Sequence, residues 1–344
     1  MNLSIKTLIP HVVALALAGA ALTACGGSSS AAEIGADFDD IAERAVEEGK
    51  LVVYSSATDA VNSALVDAFN AEYPEIEVAV TRLSTGDLRS RFASETTTGA
   101  RSADAVIVTD PLMFNEDPEW FTELSTDRVP NVSNLRDGYA HKEHVAVVTS
   151  PWVATYNTEK ISSGPIAWED LAKPELLKDA TLADPEVATD SVLSFYQLLM
   201  DEYGADYLKA LGGQNDDWFD SSVPAVQKTA AGQVAIAAPG AKAHSLALVE
   251  SGAPLEAVIP EPVVAFSNLT GVASEAVNPN AALLFTNFLL STEGQAAFCG
   301  DDLYMTLVKS EVDGCSPTPD DVRIADPMRA NKDREAILNA FELD

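Results

Sequence analysis

From Asp37 onward, short apolar runs alternate with stretches whose apolar residues recur at helical spacing. Phe38, Ile41, Ala42, Ala45 and Val46 form one such face, with Asp37 placed to cap it and Gly49 to stop it. Leu51–Tyr54 (LVVY) is a buried-strand run. Val61, Leu65, Ala68 and Phe69 predict a helix from Asp59 that ends before Pro74. Ile76, Val78 and Val80 alternate as a second strand, and Ala105–Val108 (AVIV) predicts a third. Strand, helix, strand, helix, strand in this order predicts a parallel sheet covered by helices on both faces.

The rhythm breaks between His144 and Tyr156, where two β-rich runs flank Pro151 with no helix between them. It then resumes. Thr189 or Asp190 caps a helix bearing Val192, Leu193, Tyr196, Leu199 and Met200, which Gly204 stops; Ser222 caps another, before the strand run Val234–Ala238. Val258-Ile259 and Val263–Phe266 are further strand candidates. Asn280–Leu290 predicts a strongly apolar helix, a second follows through Phe298, and Asn331–Phe341 reads as an amphipathic, peripheral one. Two doubly wound α/β halves around a β-rich joint is the architecture this implies.

Composition narrows the function. The 344 residues carry 21 Lys plus Arg against 53 Asp plus Glu, a formal charge of −32, which excludes a nucleic-acid binder and a polybasic lipid-docking face. At 47% hydrophobic and 22% charged, the chain has apolar surface enough for folded cores. The start reads as an export signal: Lys6 supplies the basic n-region and Val12–Leu22 is an apolar run of 11 residues, whereas a membrane span needs about 20. Leu22-Thr23-Ala24-Cys25, followed by Gly26-Gly27, resembles a bacterial lipobox, which implies cleavage after residue 24 and lipidation of Cys25. An ordinary secretory signal with an incidental Cys is the alternative. Export means an oxidising compartment, so Cys299 and Cys315 are expected to pair, two buried free thiols being the other reading.

The succession VVYSSATDAV, FNAEYPEIEV, DAVIVTD, VVTSPWVATYNTEK, AAGQVAIAAPGA and FTNFLLSTEGQAAF, behind the lipobox, resembles the solute-binding lipoproteins of bacterial ABC importers. It is nearest to their group binding ferric iron, phosphonate and organic anions. The resemblance runs from about Lys50 to the C-terminus and implies a type II periplasmic-binding-protein fold: two doubly wound α/β lobes joined by hinge strands, with solute held between them. Tyr156–Lys160 (YNTEK) matches the strand that crosses between lobes, and Phe288–Gln295 a helix-to-helix turn. The expected organisation is a signal peptide over 1–24, a lipid-anchored tether over 25–35, the first lobe over 36–150, the second with hinge strands over 151–264, and a return to the first lobe plus C-terminal helices over 265–344. The implied protein is an extracytoplasmic monomer on the outer face of the membrane. It delivers a small-molecule solute to ABC permease subunits, without cofactor or nucleic acid.

Ligands of open α/β sheets sit beyond the strands' carboxyl ends, where helix N-termini point. That rule selects Ser55, Ser56 and Thr58; Ser84, Thr85 and Gly86; Asp110; Thr189 and Ser191; Ser221 and Ser222; and Gly240 with Lys242. Tyr304, lying between the two cysteines, joins them as a wall candidate, as do Trp218 and Phe219; Trp152 reads as joint packing. Each hydroxyl has a role that needs no ligand, the capping of its own helix. Of the basic residues, Arg82, Arg89 and Arg101 fall near the first-lobe loops, and Lys242 and His244 near a second-lobe loop. They favour a small anionic or zwitterionic solute, such as a phosphonate, organophosphate or carboxylate, with Asp110 suited to an amino group.

Iron-binding relatives use an adjacent Tyr pair after the strand aligned with VAIAA, yet Ala238–His244 here contains no Tyr. A hard trivalent cation needs several anionic oxygens, so ferric iron is the alternative ligand rather than the first. No G-x-S-x-G, P-loop or H-E-x-x-H motif occurs, and a secreted lipoprotein hydrolase is the alternative from another class. His141 and His144 read as exposed loop and strand residues.

Overall fold

Two sheets, each with its own apolar core, organise the chain. The computed structural model describes residues 32–100, 102–215, 217–300 and 302–342; the signal, Cys25, most of the tether and Arg101 lie outside them. No helix among the described residues is long and apolar enough to cross a membrane.

The first part of the chain runs α1 (Phe38–Glu48), β1 (Lys50–Ser55), α2 (Asp59–Glu72), β2 (Glu77–Arg82), α3 (Thr85–Thr98), β3 (Ala105–Val108), α4 (Leu112–Glu116) and β4 (Val145–Pro151). The second runs β5 (Val153–Asn157), α5 (Pro174–Leu177), β6 (Ala180–Ala183), α6 (Asp190–Tyr203), α7 (Ala205–Gln214), β7 (Trp218–Phe219), α8 (Ser222–Ala230), β8 (Ile236–Gly240), α9 (Ala243–Glu250) and β9 (Leu255–Val258). The remainder is β10 (Val264–Val272), α10 (Pro279–Leu289), α11 (Thr292–Cys299), β11 (Met305–Thr306), β12 (Ser316–Pro317), β13 (Arg323–Ile324), α12 (Pro327–Lys332) and α13 (Arg334–Phe341).

Local chemistry sets the boundaries. Asp37 accepts the Asp40 N–H at the start of α1, and Gly49, at φ 61°, closes it in the left-handed conformation that glycine tolerates. The AVIV strand β3 is buried throughout because it lies between β1 and β10, whereas edge strand β2 is only partly covered. The first sheet has the order β12-β11-β4-β10-β3-β1-β2, with β13 alongside β10. It is mixed rather than all-parallel: β1, β2 and β3 are parallel, and β10 runs antiparallel to β3 and β4. All of α10 is buried, its Phe285 and Phe288 edge-on to Phe69 of α2. Asp104, fully buried, accepts hydrogen bonds from the Val52, Val277 and Asn278 N–H groups and from Asn278 Nδ2. That carboxylate ties the start of β3 to β1 and to the approach of α10.

The second sheet has the order β7-β6-β8-β5-β9. Trp168, Phe195, Tyr196 and Leu199 lead its core. Between the two sheets the chain crosses three times, and the crossings are hydrogen-bonded side by side. Trp152 N–H donates to Val264 O at 2.8 Å, Arg323 N–H to Val263 O at 2.8 Å, and Ala325 N–H to Ala265 O at 2.7 Å. The first crossing is at Trp152, just before the expected YNTEK segment, whose Tyr156 and Asn157 already belong to β5.

The C-terminal helices and His144 are placed differently from expectation. The return to the first sheet ends with β13, close to where it was expected, and α12 and α13 pack on α6 and α7 of the second lobe. The C-terminal segment is also not peripheral: Ile337 and Phe341 are fully buried, with the Phe341 ring edge-on to Tyr196 at 4.8 Å. An amphipathic pattern shows that a face is covered, not how deeply. His144, expected to be exposed, is buried between the rings of Phe114 and His141, each 4.5 Å away between centroids.

Candidate functional site

A cleft opens where the carboxyl ends of strands from both sheets face each other beside the crossings. One chamber of about 360 Å³ is lined from the first lobe by Ser56, Thr58, Arg82 and Tyr304, and from the second by Thr189, Ser221, Ser222, Lys242 and His244. An adjoining chamber of about 650 Å³ is lined by Ser84, Thr85, Gly86, Asp110, Asp190 and Ser191. Thr109, Trp152, Ala188, Thr189 and Phe266 line both, so the two lie side by side.

Helix starts dominate the walls. Thr58 caps α2 and Thr189 caps α6, each accepting a backbone N–H at 3.4 Å. Ser84 accepts the Asp87 N–H and donates to the Asp87 carboxylate, so its hydroxyl is spent on α3. Ser221 holds the capping position of α8 without making a side-chain cap bond, one residue before the expected Ser222. Ser222 is instead bonded to His244 Nδ1 at 2.6 Å. Thr85 and Thr109 hydroxyls meet at 3.0 Å. These N-termini bring partial positive charge and N–H donors to one cavity, the arrangement that suits an anionic oxygen.

The first chamber holds the basic groups. Arg82 Nε donates to Ala57 O at 3.0 Å, which fixes the guanidinium plane in the wall. Lys242 Nζ donates to Asp302 O at 3.1 Å. Burial pushes the His244 pKa below the usual imidazole value, favouring the neutral ring. Asp184 and Asp220 share this chamber, so its charge is mixed. The second chamber has Asp110 and Asp190 and no Lys or Arg in its described lining. The Asp110 pKa is raised chiefly by burial, with the charges of Asp190 and Glu116 adding to it; the Leu112 N–H and Arg89 oppose the rise.

Buried polar atoms at the back await partners. Ser56 Oγ and Trp152 Nε1 have none among the described residues. Trp152 is both joint and wall, tilted on Phe266 at 4.8 Å. β7 divides its two aromatics by strand alternation: Phe219 lines the chamber while Trp218 turns to Phe341. Burial likewise raises the Tyr304 pKa, its ring edge-on to Phe298.

Two candidates do not face the cleft. Ser55 is wholly buried as the last residue of β1, its hydroxyl accepting the Ala57 N–H, because the strand runs one residue beyond LVVY. Gly240 is the end of β8 and is absent from the lining, though its neighbours Pro239 and Ala241 are present. Arg89 pairs with Glu116, and Arg91 with Glu95, and neither lines a chamber, although the Arg89 charge reaches Asp110. The sequence reading also missed Ser150 and Asn268, which are bonded at 3.0 Å in the chamber wall. Their only signal is polarity inside two mostly apolar strand runs, shared with Thr149, Ser267 and Thr270. Cys299 and Cys315 form the expected disulfide.

The described residues contain no group of three or more His, Cys, Asp or Glu placed to hold a metal ion. The sequence profile of the family described as "Bacterial extracellular solute-binding protein" matches residues 64–325. An uncharacterized protein of Haemophilus influenzae is 26% identical over 262 residues, spanning 72% of this chain and 75% of its own. Among solved structures, a substrate-binding protein of an ABC transporter from Agrobacterium tumefaciens superposes with a TM-score of 0.71 at 16% identity, over 85% of this chain and 94% of its own. Iron-bound HitA from Pseudomonas aeruginosa gives 0.68 at 17%, over 86% and 99%. AfuA from Actinobacillus pleuropneumoniae, with fructose-6-phosphate bound, gives 0.61 at 22%, over 85% and 97%. At such identities these structures share the fold, while the family profile spans well over half the chain. The protein belongs to the bacterial extracellular solute-binding proteins, the extracytoplasmic receptors that capture small molecules for ABC permeases.

Proposed function

We propose that this receptor captures a small anionic or zwitterionic organic solute, a phosphonate, phosphate ester or carboxylate, in the cleft between its lobes. The observation that carries the reading is the convergence of the α2, α6 and α8 N-termini on one chamber that also holds Arg82 and Lys242. An anionic end would lie there, against Ser56, Thr58, Thr189, Ser221 and Ser222. An amino or hydroxyl end would point to the acidic second chamber, towards Asp110, Thr85, Gly86 and Ser191. Trp152, Phe266 and Tyr304 would cover the solute's apolar part. Ferric iron fits less well, since the Ala238–His244 segment offers no phenolate and the chamber's carboxylates stand among cations. The receptor is held at the outer membrane face by a lipid on Cys25 and works as a monomer, with residues 25–35 as its tether.

A thermal-shift screen tests the ligand class, using inorganic phosphate, methylphosphonate, aminoalkyl phosphonates, sugar phosphates, dicarboxylates and Fe(III). A solute at 100 times its Kd raises stability by about 2.7 kcal/mol. Organic anions should shift the transition and Fe(III) should not. A shift with Fe(III) alone would overturn the assignment.

A further inference from the structure

Among the described residues, two side-chain contacts join the lobes without using a crossing strand: Asn115 Nδ2 to Met328 Sδ at 3.0 Å, and one at the cleft rim beside the solute chamber. Lys242, on the second lobe beyond β8, donates from Nζ to the backbone carbonyl of Asp302 on the first lobe at 3.1 Å. Asp302 sits inside the loop that the Cys299–Cys315 bridge closes, at φ 62°, a left-handed backbone uncommon for a residue with a side chain. Its N–H donates to Gly314 O at 2.9 Å, and its carboxylate accepts Ser316 Oγ at 3.0 Å, so both arms of the loop are fastened at this residue. Cys299 is fully buried at the end of α11, which anchors the bridge in the first-lobe core. The next two residues along, Leu303 and Tyr304, line the solute chamber.

We propose that the disulfide-closed loop is a positioning element of the cleft. The bridge holds the Asp302 carbonyl where Lys242 of the opposite lobe reaches it, so the closure of the lobes and the placement of Tyr304 both depend on an intact disulfide. Lys242 and Asp302 are positioning residues here, acting on the cleft through the approach of the lobes. The effect on affinity rests on the solute reading above; the effect on closure does not.

Small-angle scattering of the full chain without solute is the test. Lys242→Met and the paired Cys299→Ser/Cys315→Ser change should each raise the radius of gyration by the same amount. Combining them should add nothing, and Lys242→Arg should keep the wild-type value. Reducing the wild-type bridge with a phosphine should reproduce the serine pair, which covers a serine variant that does not fold. An unchanged curve for Lys242→Met, or additive changes, would overturn the proposal. Titration of the same variants with fructose-6-phosphate and inorganic phosphate separates the two readings. Weakened binding with unchanged scattering overturns the latch and leaves the solute assignment standing. Scattering that responds as expected, with neither anion bound by any variant, supports the latch and counts against the solute assignment.

Discussion

His144 gives the chain an acid-sensitive point that can be put in numbers. Its imidazole is pushed down from the ordinary 6.5 to about 4, first by burial and then by the charge of His141. The unfolded chain therefore takes up this proton at a higher pH than the folded one. Stability from this group is fully present above about pH 6.5 and is lost as pH falls towards 4, below which the loss is complete. A separation of roughly 2.5 units at about 1.4 kcal/mol each amounts to about 3.5 kcal/mol in full, most of it within that window. The perturbation is His144→Phe, which keeps a ring against Phe114 but cannot take a proton. Nδ1 has no partner among the described residues, so the substitution removes no hydrogen bond at that atom. Urea unfolding of both proteins at a series of pH values gives two stability profiles, and their difference isolates this residue together with its charge coupling to His141. The difference should grow by about 3 kcal/mol in favour of the variant between pH 6.5 and 4. A difference profile that stays flat over that window would refute the reasoning, whatever the variant's stability at neutral pH.

Two further outcomes are expected. Arg82→Met should weaken binding of an anion identified in the screen by about 10- to 150-fold, the worth of a charged hydrogen bond of about 1.5–3 kcal/mol, with little change in the melting temperature. Calorimetric titration measures it, and unchanged affinity would remove Arg82 from the site. Gly212→Ala should destabilise the second lobe, since an added Cβ would stand 2.1 Å from Phe341 O. Overpacking of this kind costs about 1–3 kcal/mol, readable in thermal unfolding. An unaltered transition would mean that α13 is not seated as described.

What could be read from sequence was what is settled locally. Asp37 and Gly49 bound α1 through contacts within a few residues, and the AVIV run is central because it is apolar on both faces. The strand-end rule found Ser56, Thr58, Thr189 and Ser221 because each lies next to a strand or helix end visible in the pattern. It failed at Ser55 because a strand one residue longer turns the side chain to the other face. Ser150 and Asn268 were out of reach, being 118 residues apart and brought together only by the antiparallel pairing of β4 with β10. The α13 pattern gave a buried face in Ile337 and Phe341, but nothing local named α6 and α7 as what covers it. His144 looked exposed because Phe114, which covers it, is far away in sequence.

The three crossings also determine when the molecule can first become whole. The first-lobe core needs β10, α10 and α11, and the second-lobe core needs α12 and α13. Neither core is complete in a chain that stops at residue 260, although half the strands of the first sheet and all those of the second have been made by then. A chain growing from its N-terminus therefore cannot finish the first lobe before the second has been threaded through, and the usual order of N-terminal domain first is denied to it. Contacts between residues so distant in sequence also make folding slow. The same threading that aligns the crossings beneath the cleft keeps the first lobe incomplete until β13, and the second until α13, has been made.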